Sequence, residues 1–415
     1  MVSARRKAWL VYTGALGEVL TGPGIRIVEL AGQLARSGHE VHVVVDSCTR
    51  GMPKGVCVHA FDLDIVDGFR RGDAVIVSSE IPGRFALKLC RSGIPFHLDS
   101  YNIAATELLA QAHQVTRTRI SLHLFRRALR YGMLWERCEW GYLSSPVQSA
   151  VLGGIFLPRR NPNWARLAAA LPAKCSIAPM GVPAPPLRSQ RNPYPEGLRD
   201  RPILLWGGGI WSWFDIEGLL LAMSNLKNRG SPALLWFLAS ENSSGLSTQD
   251  EPVRRAKEMA SDLDLLGTHV FFNPGSVSRE MLPGYVEHCS AGVMANPASL
   301  EAWCSWRTRL LDLMSAGKPL FSMGYDPLSE WMANAGAAKV TPSGDVPMFA
   351  DEISSTLADP ETLASMGVAS LVAGKRMAWN RTLGPILDKV ADPGSFTKVG
   401  GDPVWLDVAR YVVGV

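Results

Sequence analysis

The sequence predicts an α/β protein of two parallel-sheet domains, and three observations carry that expectation. At 415 residues the chain exceeds what one hydrophobic core usually serves and suits two. Short apolar runs alternate with helical patterns in each half. Between the halves lies Pro179-Met180-Gly181-Val182-Pro183-Ala184-Pro185-Pro186, whose repeated prolines without periodicity mark a linker that continues in polar residues through Arg201.

In the N-terminal half the expected strands are Trp9 to Tyr12, Val41 to Val45, Val56 to Phe61, Ala74 to Val77 and Phe96 to Leu98. The first helix between them is the clearest. Ile27, Leu30, Ala31 and Leu34 fall at i, i+3, i+4 and i+7, Pro23 sits near the start and Gly38 closes it. The second series runs through Ile203 to Trp206, Ala233 to Leu238, Val270 to Phe272, Gly292 to Met294 and Leu320 to Phe321, again with helical stretches between. Strands alternating with helices pair in parallel and are covered on both faces, and ligands of such sheets sit beyond the carboxyl ends of the strands. The reading places an N-terminal domain at 1–185, a C-terminal domain at 200–385 and a tail at 386–415 that returns to the first. Two such sheets facing each other make a cleft for two substrates.

Composition narrows the class. Hydrophobic residues are 47% and charged residues 19%, a globular mixture with enough apolar side chains for two buried sheets. The net charge of +4 is small, and no run of like charges offers a nucleic-acid-binding tail. It is compatible with an anionic ligand. The seven cysteines are scattered without a C-x-x-C pair, which speaks against a zinc site or disulfide framework and for a reducing cytoplasm. The apolar stretch after the basic opening, Ala8 to Tyr12, is too short for a secretory or spanning segment.

Four stretches carry candidate chemistry. After the first strand come Thr13-Gly14-Ala15-Leu16-Gly17 and Thr21-Gly22-Pro23-Gly24-Ile25-Arg26, where glycines admit a ligand to the backbone and Arg26 on the first turn could meet an anion. In Pro95-Phe96-His97-Leu98-Asp99-Ser100-Tyr101-Asn102 a strand ends in polar groups, which puts Asp99 or Tyr101 at the cleft mouth as candidate catalytic residues. Glu107 could join them or face solvent. The second domain opens with Gly207-Gly208-Gly209-Ile210-Trp211-Ser212-Trp213-Phe214-Asp215 directly after a strand, without the full dinucleotide-fingerprint spacing. Its tryptophans suit a sugar face or a cation, or simple burial. The densest constellation is Ser299 to Asp312. There Ser305 is expected to cap a helix, Arg307 and Arg309 to clamp phosphate oxygens, and Asp312, one turn beyond Thr308, to accept from a ribose diol. Cys304 has no histidine neighbour to activate it and is expected to be structural.

These residues in this order resemble glycosyltransferase family 4, in particular a bacterial branch of surface-polysaccharide and natural-product enzymes. The matches are Gly22-Pro23-Gly24-Ile25-Arg26 with Glu29-Leu30-Ala31 and Gly38-His39-Glu40-Val41, then Asp99-x-Tyr101 with Glu107-Leu108. They continue with Ser144-x-x-x-Gln148, Gly153 and Arg160-Asn161-Pro162, then Gly207-Gly208-Gly209 with Trp213-Phe214-Asp215. The most specific is Ser305 to Asp312 followed by Ala316-Gly317-Lys318-Pro319. The resemblance implies a GT-B fold of two Rossmann-like domains, a nucleotide-sugar donor (GDP or UDP) held mainly by the second domain, and transfer with retention of anomeric configuration. On it, Gly24, Arg26, Gly208, Gly209, Trp211, Trp213, Ser305, Arg307, Thr308 and Asp312 would bind the donor, and Gly17, Asn102, Glu107 and Gln148 the acceptor. The sequence departs from the family where an arginine and a lysine hold the donor diphosphate: Gly209 and Phe214 stand there, and Arg307 is the candidate replacement. The first acid of the family's paired-glutamate motif would fall near Cys304, and the second is Asp312.

No cofactor beyond the nucleotide sugar is expected. No acidic D-x-D pair stands in a suitable loop, so nothing in the sequence demands a metal. Thirteen tryptophans permit a flat or cationic small-molecule acceptor of the kind met in antibiotic biosynthesis, a thiol among them. Two other readings stand beside this one. The arginine-rich segment Arg117 to Arg137 could lie on anionic lipid and serve a lipid-linked acceptor, and the missing basic pair is compatible with a non-catalytic sugar-nucleotide-binding protein.

Overall fold

The computed structural model describes residues 5–17, 21–103, 106–107, 110, 117–156, 171–183, 188–239, 250–275, 277–278 and 280–392. The sequence readings at Leu108, at Arg160-Asn161-Pro162 and beyond 392 lie outside these. Packing divides the chain after Met180, and residues 380–392 return to the first unit, ahead of the expected return at 386.

The first unit holds a seven-stranded sheet. Its strands are β1 (Lys7–Val11), β3 (Glu40–Val45), β5 (Val56–Ala60), β6 (Ala74–Ser78), β7 (His97–Asp99), β8 (Trp140–Leu143) and β9 (Cys175–Ile177), in the order β5-β3-β1-β6-β7-β8-β9. All its pairings are parallel. A two-residue ladder between β2 (Ala15–Leu16) and β4 (Ser47–Cys48) lies beside it. Helices α1 (Gly22–Arg36), α2 (Gly83–Ser92), α3 (Arg117–Arg137) and α4 (Pro146–Phe156) connect the strands. In α1 the expected stripe is the buried one: Ile27, Leu30, Ala31 and Leu34 are at most 5% exposed. Thr21 caps it by accepting from the Gly24 N–H, and Gly38 just beyond its end takes φ 88°, a left-handed value that glycine adopts at least cost. Trp9, Val11, Val44, Val77, Phe85, Leu98 and Trp135 build the core under one face.

The second unit holds six parallel strands: β10 (Ile203–Trp206), β11 (Leu234–Phe237), β12 (Val270–Phe272), β13 (Ala291–Ala295), β14 (Leu320–Met323) and β15 (Ala338–Thr341), in the order β12-β11-β10-β13-β14-β15. Its helices are α5 (Ile216–Asn228), α6 (Asp250–Asp262), α7 (Leu282–His288), α8 (Leu300–Cys304), α9 (Arg309–Ser315), α10 (Pro327–Asn334), α11 (Val346–Leu357) and α12 (Pro360–Arg376). Strands β10, β11, β13 and β14 are buried along their whole length, as a sheet covered on both faces requires.

Two sequence expectations need correction. The polar stretch up to Arg201 is no free linker. Tyr194 is 1% exposed, donates to the Tyr285 carbonyl at 2.9 Å and meets Trp236 edge-on, so this segment belongs to the second unit. Strands β8, β9 and β15 are absent from the sequence reading because their apolar runs are short and interrupted by Gly141, Ser176 and Lys339. Beyond residue 379, α13 (Trp379–Thr382) leads into α14 (Gly384–Ala391), tied to the first unit by Arg6 donating to the Val390 carbonyl and by Lys389 over the Trp140 ring. Among the described residues no helix is long and apolar enough to cross a membrane.

Candidate functional site

Each sheet reverses its strand order once. In the first unit the chain runs outward from β1 through β3 to β5, then restarts at β6 on the other side of β1. In the second it runs from β10 through β11 to β12 and restarts at β13. Loops leaving the carboxyl ends of the two strands at such a reversal diverge and leave room for a ligand. The segments 207–215 and 296–308 leave β10 and β13 there.

In the second unit the first of these loops folds back on its strand. Gly208 donates to the Trp206 carbonyl and takes φ 141°, a value that a side chain would strain. Phe214 donates to the Trp211 carbonyl in a tight turn, and Asp215 donates to the Ala295 carbonyl at the end of β13. Asp215 also caps α5 by accepting from Gly218. The turn stacks the indoles of Trp211 and Trp213, with centroids 5.0 Å apart and planes 4° from parallel.

The Ser305 segment differs from its sequence reading. Ser305 does not begin a helix. Ser299 caps α8, Ser305 terminates it, and the next helix, α9, starts at Arg309 after Thr308. Asp312 therefore lies in the first turn of α9, where a carboxylate is favoured by the helix dipole. Arg307 stands in the turn between the helices, so the expected support from a helix N-terminus does not reach it. It is 5% exposed, and its two terminal nitrogens donate to the two oxygens of Glu301, itself 2% exposed, at 2.8 Å each. Ser305 Oγ donates to the same carboxylate at 2.6 Å. Arg307 is committed inside the unit, which corrects its reading as the phosphate clamp.

Arg309 is the guanidinium that remains. Its Nη1 donates to the Gly209 carbonyl at 3.0 Å, and no carboxylate pairs with it among the described residues. It lies over Phe214 at 4.4 Å and Trp206 at 5.0 Å, while Arg307 lies over Phe214 at 4.7 Å. Burial, and then the neighbouring Arg307 charge, lower its pKa to about 9, so it is still a cation at neutral pH. A partly buried cation on an aromatic shelf beside a glycine loop can pair with an anion through its remaining donors. Close by, Asp326 caps α10 and accepts from Asn296 Nδ2 and Ser329; burial raises its pKa. Sequence reasoning gave no role to Glu301, Asp326 or Asn296, and had Phe214 only as a residue standing where the family carries its clamp. Only the spacing of Glu301 to Ser305, one helical turn, was there to find the first.

In the first unit the structure joins several predicted residues into one network. Arg26 is 1% exposed; its Nε and Nη2 donate to the two Asp99 oxygens at 2.7 and 2.8 Å, and Nη1 donates to the Pro179 carbonyl. The readings of Arg26 as a donor ligand and of Asp99 as a group at the cleft mouth give way to a closed, buried ion pair. Tyr101 packs on Arg26 at 5.3 Å, and burial first, then Glu107, raise its pKa well above the usual value, so it is a neutral phenol. Gln148 donates to the Tyr101 carbonyl at 3.0 Å and accepts from the Ser144 N–H, and Asn102 donates to Glu107 at 2.7 Å. Gly24 lies at the α1 cap, and Gly17 follows β2 directly. Of the arginines on α3, Arg127 and Arg130 pair with Glu80 at 3.7 and 2.8 Å.

No family model and no curated protein matches the sequence. Solved structures do match in fold. A sucrose-phosphate synthase from Thermosynechococcus elongatus superposes with a TM-score of 0.69 at 15% identity, over 93% of this chain and 99% of that one. HepE from Anabaena, in complex with UDP and glucose, gives 0.64 at 12% identity, over 93% and 100%. A UDP-forming α,α-trehalose-phosphate synthase from Burkholderia xenovorans gives 0.69 at 9%, over 94% and 100%. Nearly the full length of each is shared, and the architecture agrees with the one implied by the sequence resemblance. The chain has the GT-B fold of these glycosyltransferases, with two Rossmann-like parallel-sheet units.

Proposed function

We propose that the chain is a glycosyltransferase that moves a sugar from a nucleoside diphosphate to a small-molecule acceptor. The observation that carries the reading is Arg309, a cation without a carboxylate partner among the described residues, laid against the Gly207–Gly209 loop at the strand-order reversal of the second sheet. A diphosphate leaving group develops negative charge as its bond to the anomeric carbon breaks, and a fixed guanidinium lowers the energy of that state. The electron pair of the breaking bond stays on the diphosphate, the acceptor heteroatom bonds to the anomeric carbon, and its proton passes to the departing phosphate.

One fold neighbour, HepE, crystallised with UDP, with UDP-glucose, and with UDP and glucose, supports UDP as the first donor carrier to test, with GDP beside it. Retention of configuration, drawn from the sequence resemblance, and a metal-independent reaction on a small acceptor, thiols included, drawn from the residues, are further parts of the proposal. In the first unit Tyr101, Asn102 and Glu107 are proposed to serve the acceptor, with the buried Arg26–Asp99 pair and Gln148, which holds the Tyr101 carbonyl, as the rigid support beneath them.

The test is titration calorimetry with UDP and GDP, followed by release of each diphosphate from its sugar nucleotide with and without an acceptor panel. Micromolar binding and acceptor-dependent release are expected. Binding without turnover would favour the non-catalytic reading, and absence of binding to either nucleotide would overturn the proposal.

A further inference from the structure

The anion contact at Arg309 leaves a neighbouring feature unused. Trp211 and Trp213 sit at the first and third positions of a turn closed by the Phe214 N–H to Trp211 carbonyl bond. That turn is pinned to β13 through Asp215 and Ala295, so the indoles are held at the same strand-order reversal as Arg309. Both rings are partly exposed. Two stacked indoles in contact with water are costly to leave bare, since each carries a large apolar face. Among the described residues Trp211 has no ring against it other than Trp213.

The rings connect to the cation through one side chain. Phe214 carries Arg309 at 4.4 Å and lies 6.1 Å from Trp213. Arg309 therefore has two flanks. Along α9, one turn on, stands Asp312, whose carboxylate suits a pair of hydroxyls. Through Phe214 stand the stacked indoles. A nucleoside diphosphate sugar has the matching order, with ribose on one side of the diphosphate and the transferred sugar on the other. A pyranose presents a row of C–H groups on one face, which packs against the electron-rich face of an indole.

We infer that Trp211, backed by Trp213, forms the surface against which the transferred sugar ring of the donor packs. This rests on the proposed sugar-transfer reading. Trp213 is the positioning residue: it fixes the plane of Trp211 and does not itself need to touch the sugar.

The experiment measures affinity of wild type, Trp211→Ala, Trp211→Phe and Trp213→Ala for UDP-glucose and GDP-mannose, each against its bare diphosphate, with circular dichroism confirming the fold. Wild type is expected to bind at least one sugar nucleotide more tightly than its diphosphate. Trp211→Ala should weaken that sugar nucleotide roughly three- to tenfold while leaving the diphosphate unchanged, and Trp211→Phe should recover most of the loss. Equal losses for both ligands would assign the indoles to the base or to holding the loop and overturn the inference alone. So would a wild type that gains nothing from either sugar. Absence of binding to UDP and GDP by wild type would overturn the sugar-transfer reading, and this inference with it.

Discussion

Both units bury an arginine in a bidentate pair with a carboxylate, and in the second another arginine, without a carboxylate partner among the described residues, lies two residues further on. In the first unit Arg26 and Asp99 join the helix after β1 to the end of β7, and the third nitrogen of Arg26 is taken by the Pro179 carbonyl. In the second, Arg307 and Glu301 close the turn between two short helices, and Arg309, two residues on, carries one carbonyl bond. A buried pair fixes geometry because neither charge can leave its partner without a large desolvation cost. A cation held by ring faces and one carbonyl can still offer its remaining donors. The difference separates a part that holds shape from a part with donors left to offer, the one proposed to meet the donor.

The largest expected effect breaks the pairs. Arg26→Met leaves Asp99 buried without its partner and should cost about 3–5 kcal/mol in urea denaturation, as Arg307→Met should by leaving Glu301. Arg309→Met should cost less than about 2 kcal/mol, because it strands no carboxylate. Equal destabilisation by Arg307→Met and Arg309→Met would erase the distinction between them.

Acid should sharpen the comparison next. His97, buried in the first sheet and bonded to the Tyr142 hydroxyl at 2.7 Å, has its pKa lowered to about 4 by burial. The unfolded chain takes up this proton below the ordinary histidine value near 6.5, and the folded chain only near 4. Stability of the first unit should therefore fall as pH drops through that window, by up to about 3 kcal/mol from this residue. Asp326 acts in the opposite sense in the second unit: its raised pKa makes the folded state bind a proton more readily, which adds stability as pH falls. His97→Gln should flatten the pH dependence of the urea midpoint of the first unit, and an unchanged slope would show that His97 does not carry it.

Ligand affinity separates the two arginines by a smaller amount. Arg309→Ala should weaken UDP by roughly 10- to 100-fold and leave uridine unchanged, with partial recovery in Arg309→Lys. Loss of uridine to the same degree would point to a collapsed loop. The smallest effect is expected at Asp312. Asp312→Asn should weaken UDP about threefold to tenfold while leaving 2′,3′-dideoxy-UDP nearly unchanged. Equal losses would return this carboxylate to the helix start it now occupies, where it favours the α9 N-terminus.

The fold was legible where the pattern is local. Helix α1 declares itself by the spacing of Ile27, Leu30, Ala31 and Leu34, and β10 by the unbroken Ile203 to Trp206, because periodicity and burial of both faces are written along the chain. The glycine loop after β10 was likewise readable from its place behind a strand. The site was less so. Ser305, Arg307 and Arg309 read alike in sequence as a cap and two clamps, since nothing in their spacing tells that the helix breaks at Ser305 and restarts at Arg309.

The sequence by itself determined two α/β layers, the prolines between them, and the stretches that reach the carboxyl ends of their strands. Those properties follow from chain-local hydrophobic period and backbone stiffness. The tertiary structure alone decided which cation is spent and which is kept. Arg26 meets an aspartate far along the chain, on a strand that only the folded sheet brings near, and Arg307 turns onto Glu301 because a break between two helices aims it there. Arg309 is left facing Gly209 and Phe214, contacts made across the second sheet between the segments that leave β10 and β13. Charge pairing depends on where side chains point after packing, and packing is the one thing that no short stretch of sequence contains.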